Sequence, residues 1–370
     1  MSSVVLSGDT SGTLTLSAPS IAGSNVVSIP AATGTMALTT GQIGMKNRII
    51  NGAMLVNQRS WSGTIVTDGT YTLDRYQAFS SAASKYSVVQ SSDAPAGFIN
   101  SLLVTSLAAT SVGATDYYFI RQCIEGLNCT DLGWGGASAK TVTVSFWVKS
   151  SLTGTFGGTL ENSAQNRSYP FSYTISSAST WEQKTITVAG DTSGTWLTDN
   201  SRGIIIRWSL GTGSTYQNTA NAWVAGEYYS VTGETQLVAT NGATWYITGT
   251  QLEVGSTATS FDYRPYGTEL ALCKRYYHYV GGTANGFPLI QMYAGSGNQP
   301  TAPICFPSQM RATPTMTVVG TWGGGNNIGN PSFIYMSPDG ASMILTASST
   351  GMVEAWPNTT DDRANFSAEL

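Results

Sequence analysis

Lys140–Ser151 reads "KTVTVSFWVKSS", with Val142, Val144, Phe146 and Val148 alternating with Thr143, Ser145, Trp147 and Lys149. Successive side chains of an extended chain point to opposite faces, so this pattern puts one apolar and one polar face on a half-buried strand. The same alternation recurs in "YSVVQSS" (86–92), "WEQKTITVAG" (181–190), "GIIIRWSLG" (203–211) and "ATWYITGTQLEV" (243–254). Turn-rich polar segments separate them and no helical pattern intervenes. Residues 46–266 are therefore expected to form an antiparallel jelly-roll-like sandwich rather than a parallel α/β sheet.

Composition agrees with an all-β chain. Of 370 residues 41% are hydrophobic, but only 10% are Asp, Glu, Lys or Arg, against about 25% in ordinary soluble domains. Solubility then rests on Ser, Thr, Asn, Gln and Gly. Thr, Tyr and Trp suit a pleated surface, whereas the scarce Lys and Glu favour helices. The net charge is −4 with no basic run, which argues against a nucleic-acid partner. No stretch approaches the roughly 20 apolar residues of a membrane span, and "MSSVVLSGDTSG" lacks the basic start and apolar centre of a signal peptide. Synthesis and folding in a cytosol, without membrane insertion, are expected. Cys123, Cys129, Cys273 and Cys305 form no CxxC pattern and read as buried free thiols.

The two ends differ from the middle. Residues 1–45 hold short alternating pieces such as "TLTL" and "VVSIP" between turn dipeptides, without an aromatic residue. So thin a β segment cannot bury enough surface to offset its conformational entropy. It needs other copies of the chain or a larger assembly, unless it is a flexible linker. At 267–281, "GTELALCKRYYHYV" spaces Leu270, Cys273, Tyr277 and Val280 by three and four. That is one apolar helical stripe, and Thr268 is a suitable N-cap. A short helical joint is expected there, before a smaller C-terminal β domain at 282–370.

Enzymatic chemistry is limited by what is missing. One histidine, His278, falls within the expected helix, so a multi-His metal centre is excluded, and no GxSxG elbow supplies a serine nucleophile. "WGGGNN" at 322–327 has no Lys-Ser/Thr and no strand-to-helix context for phosphate. Glycoside hydrolysis needs only two carboxylates, for which Glu125, Asp131, Glu161 and Glu234 are candidates. Sugar binding needs flat rings on loops beside amides or carboxylates. Trp134, Tyr216 with Gln217 and Asn218, and Trp322 with Asn326 and Asn327 meet that description.

Several blocks also resemble, in order, a family of bacteriophage tail-fibre or virion-appendage proteins: "NRIINGAMLVNQRSW" (47–61), "YTLDRYQAF" (71–79), "SFWVKSS" (145–151), "QLEVGSTATSFDYRPYGTELALCKRYY" (251–277) and "FPSQMRATPTMTV" (306–318). The resemblance implies a jelly roll akin to carbohydrate-binding modules, a short helix and a C-terminal β domain. The N-terminal "GTLTLSAPSIAGSNVVSIPAATGTMAL" looks like the thin β repeats of phage fibre shafts. Jelly rolls of this kind often carry calcium, for which Asp68 or Asp74 would be the weak candidates; no cofactor or metal is expected. The function implied is a non-enzymatic, homotrimeric virion protein, assembled in the host cytoplasm. Residues 1–45 would dock on tail or capsid proteins and the distal surface would meet host glycans. A glycan depolymerase and a purely structural head or tail decoration are the alternatives.

Overall fold

The computed structural model describes strands at 3–7 and 13–17 and residues 45–282, 289–324 and 330–370. Residues 1–41 and 42–370 are two separate compact units. In the first, Ser3–Ser7 pairs antiparallel with Thr13–Ser17.

The larger unit begins with a β-sandwich. One sheet runs, from edge to edge, Val224–Ala225, Arg167–Ile175, Gly154–Asn162, Arg202–Thr212, Tyr117–Glu125, Tyr76–Ser80, Thr70–Tyr71. The other runs Glu182–Val188, Val142–Ser150, Thr244–Val254, Ser101–Ser106, Tyr86–Ser91, Ser62–Thr64. All pairings in both are antiparallel. The expected alternation is met, since Val142, Val144, Phe146 and Val148 are fully buried in the core with Trp208 and Trp245. The opposite face of that strand is largely buried too, at Thr143, Ser145 and Lys149. The 255–260 turn folds over it, with Thr143 Oγ1 donating to the Gly255 carbonyl at 2.8 Å. Glu253 accepts there from the backbone and hydroxyl of Thr259 at 2.9 and 2.6 Å. A bulge interrupts the Val142–Ser150 pairing between Thr248 and Gln251. Gly249 sits in it at φ +59°, and a Cβ there would meet the Phe98 ring at 2.6 Å.

The outward face of the seven-stranded sheet carries charge in its strands and is roofed at one end by the 213–239 loop. Arg207 pairs with Glu161, both almost wholly buried. Glu234, from the loop, accepts from the hydroxyls of Ser230 and of Ser209, the latter at 2.9 Å. Burial pushes Glu161 up to about 7, against the pull of Arg207, and pushes Glu234 to about 7 as well.

The helix is shorter than its periodicity predicts. It spans Tyr266–Lys274, with Pro265 rather than Thr268 at its N-cap and Arg275 at its C-cap. The Pro265 carbonyl accepts from Thr268 N and Glu269 N at 2.9 and 3.0 Å. Tyr277–Gly281 is a strand paired with Arg363–Ser367, so Tyr277 and Val280 do not continue the stripe. The tyrosine-rich run "YYHYV" has the bulk that favours a pleated surface, and a sheet edge is there to receive it. Of the expected stripe, Cys273 is buried, while Leu270 is half-buried. Both pack against Ile50, Val56 and Tyr276.

Beyond the helix, the described residues form three three-stranded sheets around a second core of Met343, Val353, Ala355, Ala364 and Phe366. Ion pairs fasten this domain to the sandwich. Arg275 binds Glu125 through two nitrogens at 2.9 and 2.5 Å, and the Tyr276 hydroxyl donates to the same carboxylate at 2.6 Å. Glu369 takes Arg59 at 3.0 Å and also Arg75, whose guanidinium lies 3.5 Å from the Tyr276 ring centre.

Two stability measurements test this account. Arg275→Met leaves the Glu125 carboxylate buried without its cation and is expected to cost about 3–5 kcal/mol in urea unfolding; Lys274→Gln should be nearly neutral. An acid whose folded pKa is raised stabilises fully below its unfolded pKa, and that contribution is lost as pH rises through the folded value. Glu234→Gln should therefore gain in melting temperature relative to wild type between pH 5 and pH 8. A difference that stays constant over that window would mean that Glu234 is not protonated on burial.

Candidate functional site

Three loops at one edge of the seven-stranded sheet bring three indoles together. Trp134 follows the short 3-10 turn Thr130–Leu132. It is flanked by Gly133 and Gly135 at φ +62° and +87°, and a Cβ on Gly135 would meet the Gly194 carbonyl at 2.8 Å. Trp196 comes from the 189–201 loop, and Trp223 immediately precedes the edge strand Val224–Ala225. The rings meet edge to face, Trp134 with Trp196 at 4.7 Å, Trp134 with Trp223 at 5.4 Å and Trp196 with Trp223 at 5.3 Å. Tyr169 backs Trp223 at 5.2 Å.

Each indole N–H is held by a loop carbonyl: Trp134 donates to Lys140 at 2.8 Å, Trp196 to Ser193 at 3.1 Å and Trp223 to Ala189 at 2.7 Å. Asp191 ties the loops together. Its carboxylate takes Arg167 at 2.9 and 2.6 Å, and its carbonyl accepts from Gly135 N at 2.7 Å. With the polar edges satisfied and all three side chains half-buried, what remains open to solvent is apolar ring. A shallow recess of about 30 Å³ lies beside Trp134 and Trp196, lined also by Leu132, Leu197 and Thr198. Rigid rings at an exposed edge can stack on the C–H face of a sugar, with nearby hydroxyls and amides for its polar groups.

The other expected sugar-binding residues are dispersed. Tyr216, in the 3-10 turn Ser214–Tyr216, stacks on Tyr229 at 4.5 Å and meets Tyr117 edge-on at 6.0 Å. Gln217 donates its amide to the Thr212 carbonyl at 2.7 Å, and Asn218 accepts from Thr219 N at 2.7 Å. The Gln217 amide is thus turned into the loop's own scaffold. Among the described residues no ring contact joins this tyrosine group to the indoles. Trp322 is a correction: it is 4% exposed within the C-terminal core, not on a binding loop. Asn326 and Asn327 lie outside the described residues. Trp196 and Trp223 were missed in the sequence, although each is an indole in a segment of Gly, Thr and Asn, the same signal that singles out Trp134.

Each carboxylate considered for hydrolysis has a hydrogen-bonding or ionic partner of its own. Glu125 is held by Arg275 and Tyr276, Asp131 by Arg48 at 2.8 Å, Glu161 by Arg207, and Glu234 by serine hydroxyls. Asp68 accepts from Ser80 N at 2.8 Å and the Tyr117 hydroxyl at 2.9 Å; Asp74 accepts from Gln58 N and Nε2 at 2.6 and 2.5 Å. Among the described residues no three His, Cys, Asp or Glu side chains cluster to hold a metal ion. His278 sits on a strand, not on the helix, and burial lowers its pKa to about 4. Cys123, Cys129 and Cys273 are buried thiols, whereas Cys305 is exposed. Among the described residues no helix is long and apolar enough to cross a membrane.

No protein-family model matches the chain, and no curated protein does. Among solved structures it is similar to the enzymatically active domain of tailspike protein 4 of bacteriophage CBA120, at 11% identity and a TM-score of 0.33 over 57% of this chain. It spans only 22% of that tailspike chain. A putative sugar-binding protein of Bacteroides thetaiotaomicron is similar at 12% identity and a TM-score of 0.31, over 56% of this chain and 100% of that one. The family 11 carbohydrate-binding module of the Clostridium thermocellum cellulase Lic26A-Cel5E follows at 15% identity and 0.29, over 53% and 97%. Likenesses this distant carry nothing about ligand or activity, and those rest on the residues of this chain.

Proposed function

We propose that this chain is a non-enzymatic structural protein of a phage virion, a tail fibre or appendage, that contacts host surface glycans. The observation that carries the glycan reading is the indole cluster of Trp134, Trp196 and Trp223. Three large apolar rings are held half-open to solvent by loops whose hydrogen bonds already fix them. Such pre-ordered rings lose little entropy on stacking against a sugar. The virion reading is supported by the charge-poor all-β composition and by the thin N-terminal segment, which is suited to stacking between copies. In this reading residues 1–45 dock on tail or capsid proteins, and three chains assemble about one axis.

Two experiments bear on it. Purified full-length chain is exposed to an array of bacterial cell-surface polysaccharides; binding to at least one is expected, without release of new reducing ends. Trp196→Ala and Trp223→Ala should each weaken that binding about tenfold, while Trp322→Phe, inside the C-terminal core, should leave affinity unchanged. Undiminished affinity in both loop variants would remove the indole cluster from the binding surface, and carboxylate-dependent reducing-end release would overturn the non-enzymatic assignment. For assembly, light scattering of the soluble chain should give three times its 39.0 kDa mass, and a monomer at micromolar concentration would contradict the fibre.

A further inference from the structure

A cleft of about 370 Å³ opens between sandwich and C-terminal domain, away from the indole cluster in sequence and in lining. Arg59, Trp61 and Tyr71 form its sandwich wall. The outward face of the sheet Tyr277–Gly281, Arg363–Ser367, Thr315–Val319 forms the other, through Tyr277, Thr317, Val319, Arg363, Asn365 and Ser367. Register places Tyr279, Asn365 and Thr317 side by side in one cross-strand row, and Gly281, Arg363 and Val319 in another. Its volume lies within the range of small-molecule sites, which favour domain junctions.

The chemistry of the lining is one-sided. None of its nine residues is an Asp or Glu. Arg363 has no carboxylate partner among the described residues; one guanidinium nitrogen donates to the Gln58 carbonyl at 3.1 Å, and the group lies 5.3 Å from the Tyr279 ring centre. Asn365 uses its oxygen to accept from the Tyr277 hydroxyl at 2.8 Å, which turns its NH2 into the available donor. The hydroxyls of Thr317 and Ser367 add short donors. Arg59 is fixed beneath, bound to Glu369 and lying 3.7 Å from the Tyr277 ring centre. Asp74, which lies outside the lining, already accepts two hydrogen bonds from Gln58. Rings of Trp61 and Tyr71, both half-buried, supply apolar wall beside this donor set. Donors with a guanidinium that has no carboxylate partner, next to aromatic rings, complement an acceptor-rich ring that bears a negative charge.

We propose that this cleft binds a carboxylate-bearing pyranose, the hexuronate type of unit in acidic polysaccharides, with Arg363 taking the carboxylate, Asn365 and Thr317 the hydroxyls and the aromatic wall the sugar's C–H face. It deepens the glycan reading but stands on residues separate from the indole cluster.

The test titrates D-glucuronate, and separately methyl glucoside and inorganic phosphate, into the full-length chain followed by NMR. Glucuronate is expected to bind at least tenfold more tightly than methyl glucoside. Arg363→Gln should abolish that preference. Thr317→Trp, at an exposed position that fills the cleft without touching the core, should abolish glucuronate binding with an unchanged melting temperature. Equal binding of glucuronate and methyl glucoside, phosphate competing at equal affinity, or full glucuronate binding by Thr317→Trp would each overturn the proposal. Polysaccharide binding that depends on Trp196 is measured on the same variants: its persistence alongside loss of glucuronate preference separates failure of this cleft from failure of the glycan reading.

Discussion

A buried carboxylate, Glu125, holds the two domains of the larger unit together. It ends a strand of the sandwich, yet its hydrogen bonds come from Arg275 and Tyr276, on the far side of the helix. A buried ion pair is weak evidence for stability, because desolvation offsets much of its attraction. What it gives is geometry: two planar nitrogens on two oxygens fix distance and angle together. Glu369, shared by Arg59 and Arg75, does the same from the other end of the chain. Once these groups are aligned, the C-terminal sheet can take only one place against the sandwich, and the cleft between them acquires a defined shape.

The charge-poor composition takes on a second meaning in this light. Charged side chains are few, and many of them are inside: Arg75, Glu125, Glu161, Arg207, Glu234 and Glu269 are all buried. Solubility falls to hydroxyls and amides on the surface, while ionic groups fix register between elements. That division suits a protein that presents apolar rings outward, since exposed indoles need neighbours that are polar without being strongly hydrated.

Strand alternation was legible wherever one face was apolar, and Lys140–Ser151 shows why: its period of two is visible in the residues themselves. The helix was legible only to Lys274. Spacing by three and four also fits Tyr277 and Val280 by coincidence, and nothing local reveals that Arg363–Ser367 will arrive to pair with them. Trp322 misled for a related reason, because a glycine-rich neighbourhood marks a turn without saying which way the ring faces. Trp134 was found by its loop, but Trp196 and Trp223 join it only through a fold that closes three separate connections onto one edge. The carboxylate-free cleft was invisible altogether, being assembled from residues about 300 positions apart.

Tyr276 and Tyr277 are consecutive, yet their hydroxyls bond to different bodies. Tyr276 is packed under Arg75 against the sandwich, and Tyr277 is bonded to Asn365 in the C-terminal sheet. One peptide unit is all that lies between the two anchors, so there is no slack for a hinge. A tensile load applied to the C-terminal domain would reach the sandwich as shear across stacked rings and ion pairs, and the two bodies would transmit force as a single rod.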